Sequence, residues 1–403
     1  MNHETWRATA GGGTLLKDLT QRMHDAGNRA MAHGICPQVG LGGHATIGGL
    51  GPSSRLWGAA LDHVEEIEVV LADASIKRAS ETENADVFWA IKGAGASFGV
   101  VTEFVLRTEP EPGEAVQYSY SFTFGSYKEA APTFKAWQAF VADPNLTRNF
   151  ASEVIFTEAG MIVSGTYFGT KDEYDTFNMD SKFPGHQSKK TVVFKDWLGL
   201  VSHWAEGILL LLGGGVSAPM FTKSMTFNGL DLIPDDAIDK ILAYMDSVKK
   251  GTLIWFVIFD LGGGKVNDIP QEATAYAHRD ALYYMQSYAI AFPKIPDTTK
   301  DFLRGLNSLI KAEMPGAADF GAYPGYVDLE LEHPQQEYWR TNLPRLEQIK
   351  ASVDPSDVFH NPQSVRPAGA TNGHSNGTVK AAAQKMRSLN FRDLFKHKQI
   401  TTG

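Results

Sequence analysis

The chain has 403 residues, long enough for two domains, and its 43% hydrophobic and 21% charged residues are ordinary for a globular protein. A formal net charge of −9 argues against nucleic acid as a partner. The longest apolar run, Ile208 to Leu212, is too short to span a bilayer, and a single cysteine excludes an internal disulfide.

Met1-Asn2-His3-Glu4 has neither a basic start nor an apolar core, so no signal peptide is expected. After Ala10-Gly11-Gly12-Gly13, the residues Leu15, Leu19, Met23 and His24 recur at helical spacing and stop at Gly27. Gly34 to Gly51 follows, with seven glycines in eighteen residues and Cys36 at its head. Glycine takes positive φ and lets a flat ligand lie on bare peptide groups. Gly40-Leu41-Gly42 with Ala45 formally fits G-x-G-x-x-G/A, but more glycines and Pro52 follow where a dinucleotide fold needs a helix. A Walker loop would need G-K-[ST], which is absent.

Strands are expected at His63 to Leu71 and Ser75 to Ala79. They are joined at Asp73-Ala74, where alanine suits a left-handed position poorly, so an altered turn is expected. Asn84 to Lys92 reads as a short helix, Gly99 to Thr108 as a strand, and Glu109 to Gly113 as a boundary. Tyr118 to Phe124 and Trp255 to Leu261 read as strands. Pro234-Asp235-Asp236 opens an amphipathic helix through Ile238, Ile241, Leu242, Met245 and Val248, and a further helix is expected through Tyr338, Leu343, Leu346, Ile349 and Val353. Asn145-Leu146-Thr147 and Asn376-Gly377-Thr378 are sequons, a triplet common by chance. Ala368 to Thr378 reads as a linker. Lys380, Lys385, Arg387, Arg392, Lys396 and Lys398 beyond it, against Asp393, make either a loose tail or a segment docking on an acidic surface.

Three motifs in order resemble one family. Cys36-Pro37-x-Val39-Gly40-x-Gly42-Gly43-His44 with Gly48-Gly49-x-Gly51 is the first. Asp86 to Phe104, including Gly93, Gly95, Gly99 and Val101, is the second. Tyr323-Pro324-Gly325-Tyr326-Val327-Asp328 with Asp354-Pro355 and Asn361-Pro362-Gln363 is the third. Together they resemble the berberine-bridge-like branch of the vanillyl-alcohol oxidase superfamily, and its fungal oligosaccharide oxidases in particular. The resemblance implies an α+β fold of two domains. Residues 1–113 would belong to a PCMH-type FAD-binding domain. Residues 114–320 would form a substrate domain, an antiparallel sheet covered by helices, and residues 321–366 would return to the flavin domain, leaving 367–403 as linker and tail.

It also implies FAD, bonded through Cys36, as the group that carries the redox step. Val39, Gly40, Gly42, Gly43, Gly48, Gly49 and Gly51 would line it. His44 is either a flavin contact or a structural histidine. Gly95, Gly99 and Val101 would wrap the adenine side, and Asn361 and Gln363 either pack near the flavin or form a turn. Tyr326 would be the base for a substrate hydroxyl. A phenol with its usual pKa of roughly 10 needs help for that task. Where the family has Tyr-x-Asn-Tyr, Pro324 and Gly325 here are expected to shift the phenol. Asp260 would hold that tyrosine or a sugar hydroxyl, unless it only starts a turn. His278, Arg279 and Gln286 are expected at the substrate, and Trp57, Trp255, Tyr283 and Tyr284 are candidate cleft aromatics. No metal motif is present.

The expected activity is oxidation of an oligosaccharide or secondary-metabolite alcohol, with dioxygen reduced to hydrogen peroxide. The family carries an earlier Arg-x-Gly-Gly-His segment, whose histidine makes a second flavin bond, and Gly11-Gly12-Gly13 is not that loop. An impaired relative acting as a binding protein is therefore the alternative, and the family's full-length members suggest a secretory route.

Overall fold

The computed structural model describes residues 1–211, 218–229, 231–315 and 320–370. The basic tail and the second sequon lie outside the described residues. No described helix is long and apolar enough to cross a membrane.

Two antiparallel sheets organise the molecule. The first contains β1 (Arg7–Gly11), β2 (Val64–Val70), β3 (Ile76–Ser80) and β4 (Val100–Arg107), in the order β1-β4-β2-β3. Its buried side chains include Ile67, Val69, Ala79, Phe104 and Leu106. Helix α1 (Leu16–Asp25) adds Leu16, Leu19 and Met23, the stripe its spacing implies. Helix α2 (Ala85–Ala94) is buried on every side from Val87 to Ala94, so both flanks need apolar residues.

The hairpin turn between β2 and β3 corrects one expectation. Ala74 does take the left-handed position, at φ 64°, while Asp73 Oδ1 accepts from the Ser75 N–H at 2.9 Å. The residues set the turn, and the alanine carries its strain.

The second sheet contains β5 (Ala115–Phe122), β6 (Phe150–Thr157), β7 (Gly160–Phe168), β8 (Ser188–Phe194), β9 (Met220–Asn228), β10 (Ile254–Leu261) and β11 (Ala281–Ile290). Their order is β8-β5-β7-β6-β10-β11-β9. Helices α3 (Ala131–Val141), α4 (Asp235–Ser247) and α5 (Asp297–Glu313) cover one face. There Phe134, Trp137, Ile238, Leu242, Phe302 and Leu306 pack on Phe156, Val257, Phe259 and Tyr283. The α+β fold of two sheets with helices on the larger one is the one the resemblance implies.

Residues 338–365 return to the first core. Tyr338, Trp339, Leu346, Ile349 and Val365 pack with α2 and the four-stranded sheet, and Trp339 Nε1 donates to Gly93 O at 3.0 Å. The single helix expected here is two. Pro334–Trp339 stops at Arg340, whose φ is 46°, and α6 (Leu343–Val353) starts afresh. Pro344 explains the break, because a proline ring displaces the carbonyl four residues back.

Candidate active site

The second sheet's other face holds the chemistry. Strand alternation sends Phe259 to the helices and Asp260 away from them. Asp260 on β10 stands directly opposite Glu153 on β6, and Glu153 stands opposite Ser164 on β7. Asp260 Oδ2 accepts from Gln286 Nε2 at 2.9 Å and from the Tyr326 hydroxyl at 3.1 Å. Glu153 Oε1 accepts from Ser164 Oγ at 2.7 Å. Burial and the neighbouring Glu153 push the Asp260 carboxyl up to about 7, and burial raises Glu153 as well. Burial first, then the Asp260 charge, holds the Tyr326 phenol well above its ordinary value.

Tyr326 is delivered by a turn in which its N–H donates to Tyr323 O at 2.9 Å. Pro324 supplies the fixed φ that suits such a turn. A side chain at Gly325 would strike the Tyr323 ring, so glycine is required where the family pattern has asparagine. Despite the expected shift, the phenol reaches Asp260. Tyr323 in turn meets the Tyr326 ring edge-on at 5.0 Å, and its hydroxyl accepts from the Gly49 N–H at 2.9 Å. The catalytic turn is thereby tied to the glycine-rich loop.

That loop divides into an open half and a packed half. A side chain at Gly40 or Gly43 would meet nothing within 4 Å, Val39 is exposed, and Cys36 is a free, partly buried thiol. Burial raises the Cys36 pKa, so the group is a thiol at neutral pH. In its thiolate form it would raise the pKa of Tyr288 on β11, which also feels Asp260 and Glu153, so it lies near that strand. Gly42 donates to Gly12 O at 3.0 Å, and Leu41–His44 forms one helical turn where none was expected. His44 Nε2 accepts from the Gly34 N–H at 2.9 Å, and burial lowers its pKa to about 4. It is thus a neutral histidine that braces the loop.

Gly48, Gly49 and Gly51 are glycines for the protein's own packing. Side chains there would strike Tyr323, Ala60 and His33 O respectively. Gly95 makes room for Thr46, and Gly99 for Val69 and Val70. Val101 lies in β4, its carbonyl against Gly12. Asn361 and Gln363 belong to a turn. Asn361 Oδ1 accepts from the Gln363 N–H at 2.9 Å, and Gln363 Nε2 donates to Asp328 O.

Three other expectations change. His278 is buried with Nε2 on Tyr338 O at 3.1 Å. Arg279 is buried and bidentate to Asp62, at 2.8 and 2.9 Å, and joins the second sheet to the first unit. Both are fixed by protein partners, out of a substrate's reach. Of the cleft aromatics, Trp255, Tyr283 and Tyr284 are buried, with Tyr283 bonded to Gln138 and Tyr284 to Tyr276. Trp57 lies against Trp197 at the side of the sheet. Glu153, Ser164 and Tyr288 are the site residues that the sequence reading missed. The one available signal was a carboxylate inside the apolar run Phe150 to Thr157. No metal-binding cluster occurs among the described residues.

An open glycine backbone, a free thiol beside it, and a half-buried phenol-carboxyl pair on the facing sheet fit a flat redox cofactor. Cys36, Val39, Gly40 and Gly43 are the residues in place to hold it. The fold and site define an FAD-linked oxidoreductase, and the chain belongs to the berberine-bridge-like family of FAD-binding oxidases. The family model for an FAD binding domain matches residues 1–80, and that for "berberine and berberine like" proteins matches residues 322–366. The chain is 39% identical to the FAD-linked oxidoreductase sorD of Penicillium rubens over 91% of this chain and 78% of that one. It is 33% identical to the glucooligosaccharide oxidase of Sarocladium strictum over 89% of this chain and 74% of that one. Among solved structures, the xylooligosaccharide oxidase from Myceliophthora thermophila in complex with xylobiose matches with a TM-score of 0.80 and 30% identity, over 92% of this chain and 80% of that one. The glucooligosaccharide oxidase from Acremonium strictum, which carries a 6-S-cysteinyl, 8α-N1-histidyl FAD, matches with a TM-score of 0.79 and 32% identity, over 90% and 79%.

Proposed function

We propose that this protein oxidises the hydroxyl-bearing carbon of an oligosaccharide and reduces dioxygen to hydrogen peroxide. The observation that carries the reading is the Tyr326 hydroxyl held 3.1 Å from Asp260 Oδ2 on the sheet face beside the Cys36 loop. The bound flavin supplies the hydride acceptor and the route of electrons to dioxygen. Tyr326 takes the proton of the substrate hydroxyl, Asp260 receives the phenol's own proton, and Gln286 keeps Asp260 oriented. Cys36 is assigned a thioether to the flavin ring, as in the Acremonium enzyme. Its formation would release two protons and two electrons, for dioxygen to take up as hydrogen peroxide.

A secondary-metabolite alcohol is the second reading. It is favoured by the relative at 39% identity, whose name specifies no sugar.

The test is peroxide release by the FAD-loaded protein with xylo-, gluco- and chito-oligosaccharides. Tyr326→Phe should lower kcat by about 10²–10⁴-fold with little change in KM. Release from non-sugar alcohols alone would transfer the function to the second reading. An unaltered rate in Tyr326→Phe would remove the tyrosine from the mechanism. Yellow colour in an acid precipitate of the wild type, absent in Cys36→Ala, checks the thioether.

A further inference from the structure

Glu153 stands in the middle of the site face with no ion-pair partner among the described residues. Its Oε1 accepts from Ser164 Oγ at 2.7 Å, and its carboxyl faces that of Asp260, directly opposite on the adjacent strand and close enough to interact with it. Asp260 meets Tyr326 and Gln286 through Oδ2. The groups facing this pair from the surrounding elements are Ser164 on β7, Tyr284, Gln286 and Tyr288 on β11, Tyr326 on the C-terminal turn and Cys36 on the loop. All are neutral at pH 7. Two ionised carboxyls opposed across neighbouring strands repel each other, and burial enlarges the cost. A single proton held between them relieves it.

We propose that Glu153 is a positioning residue that makes Asp260 the proton acceptor of the site, the opposed carboxyls sharing the proton that Tyr326 passes on. The inference rests on the reading of Tyr326 and Asp260 as the proton path. In the step, the substrate O–H bond breaks as a new O–H bond forms on the Tyr326 oxygen. The phenol's original O–H bond breaks as its proton joins Asp260. Tyr326 is a neutral phenol before and after, so it never becomes the phenolate that its burial disfavours. The carboxyl pair goes from two negative charges to one. A lone carboxylate would be too weak a base for this. The second charge beside it raises its proton affinity toward the range where proton transfer near neutral pH is efficient.

Two readouts test this. One is the acid limb of kcat/KM in the FAD-loaded enzyme. The other is the infrared carbonyl band of a protonated carboxyl, followed against pH without substrate and subtracted from Asp260→Asn. In the wild type both should titrate near pH 7. Glu153→Gln removes the second charge and should move both down by about one pH unit. Ser164→Ala removes a donor that favours charged Glu153 and should move both up. Opposite movements distinguish a shared proton from a scaffolding role, which would lower activity and leave both titrations in place. Should Glu153→Gln fail to fold, the upward movement in Ser164→Ala still decides the matter. A band that stays fixed in the folded variants, or moves the same way in both, overturns the proposal. Expected band movements in a protein that oxidises no sugar or alcohol would leave the inference standing and sink the proposed function. Sugar oxidation with a fixed band would do the reverse.

Discussion

The two faces of the seven-stranded sheet are built by the same strands, yet one is packed with aromatic rings against helices and the other sets an opposed carboxyl pair beside Ile155, Phe256, Ile258 and Tyr288. Phe259 and Tyr283 point to the helices, where Trp137 meets the Tyr283 ring at 5.7 Å and Phe134 meets Phe259 at 4.9 Å. Their neighbours Asp260 and Tyr284 point the other way. The rings on one face are buried and the carboxyls on the other are half-buried, and removal from water has opposite signs on them. Rings removed from water stabilise the fold. A carboxyl pair removed from water destabilises it unless a proton or a partner arrives. The sheet is held from one side, and that leaves the other side free to carry a costly arrangement that is useful for moving protons.

The sharpest way to break this contrast is Asp260→Asn. Activity should fall by about 10²–10⁴-fold, because the phenol loses its proton acceptor. Stability should move the other way above neutral pH. The folded-state pKa of Asp260 is raised from 3.8 to about 7. Its contribution to stability is therefore complete below pH 3.8 and is lost as pH rises through 7. Asparagine does not titrate, so the Tm of the variant relative to wild type should rise between pH 5 and pH 8. A Tm that is lower at every pH would mean that Asp260 serves the fold.

The opposite face gives the opposite result. Trp137 is fully buried among Phe134, Phe259 and Tyr283, with Nε1 donating to Ser152 Oγ at 3.0 Å. Trp137→Ala should cost about 3–5 kcal/mol in a urea titration, while the molecules that remain folded keep their kcat. A kcat that fell in proportion would show the two faces to be mechanically coupled through β10.

The contrast also explains what was legible in the residues. Helices α1 and α4 follow from apolar spacing, because a stripe facing one core repeats locally. Cys36, Gln286 and Tyr326 were reached through motif resemblance and Asp260 through its place at the end of an apolar run before glycines, and the structure brings the last three together. Glu153 was not found. One carboxylate in Phe150 to Thr157 has the same local signature whether it faces solvent or a second carboxyl. Only the order that sets β6 beside β10 decides between them. His278 and Arg279 were misplaced for a related reason, since the partner that claims Arg279, Asp62, lies 217 residues away. Gly48, Gly49 and Gly51 belong to the same class. A glycine needed for a ligand and one needed for a distant ring look alike until the ring is placed.

The smallest effect lies outside both faces and measures how finely the contrast can be read. Ala74 holds φ 64° in the β2–β3 turn at the edge of the first sheet. An L-residue with a Cβ costs roughly 1–2 kcal/mol there. Glycine removes that strain but gains freedom in the unfolded chain, worth about 0.4–1 kcal/mol in the other direction. Ala74→Gly should therefore stabilise the protein by roughly 0.5–1 kcal/mol. The turn's Asp73–Ser75 hydrogen bond is kept, because neither partner changes. Denaturation midpoints at a constant m-value would show the gain, with kcat and its pH profile unaltered. Destabilisation would mean that the methyl group makes a favourable contact outweighing its backbone strain. An altered pH profile would mean that this distant edge reaches the carboxyl pair, and the separation of the two faces would no longer describe how the molecule divides stability from chemistry.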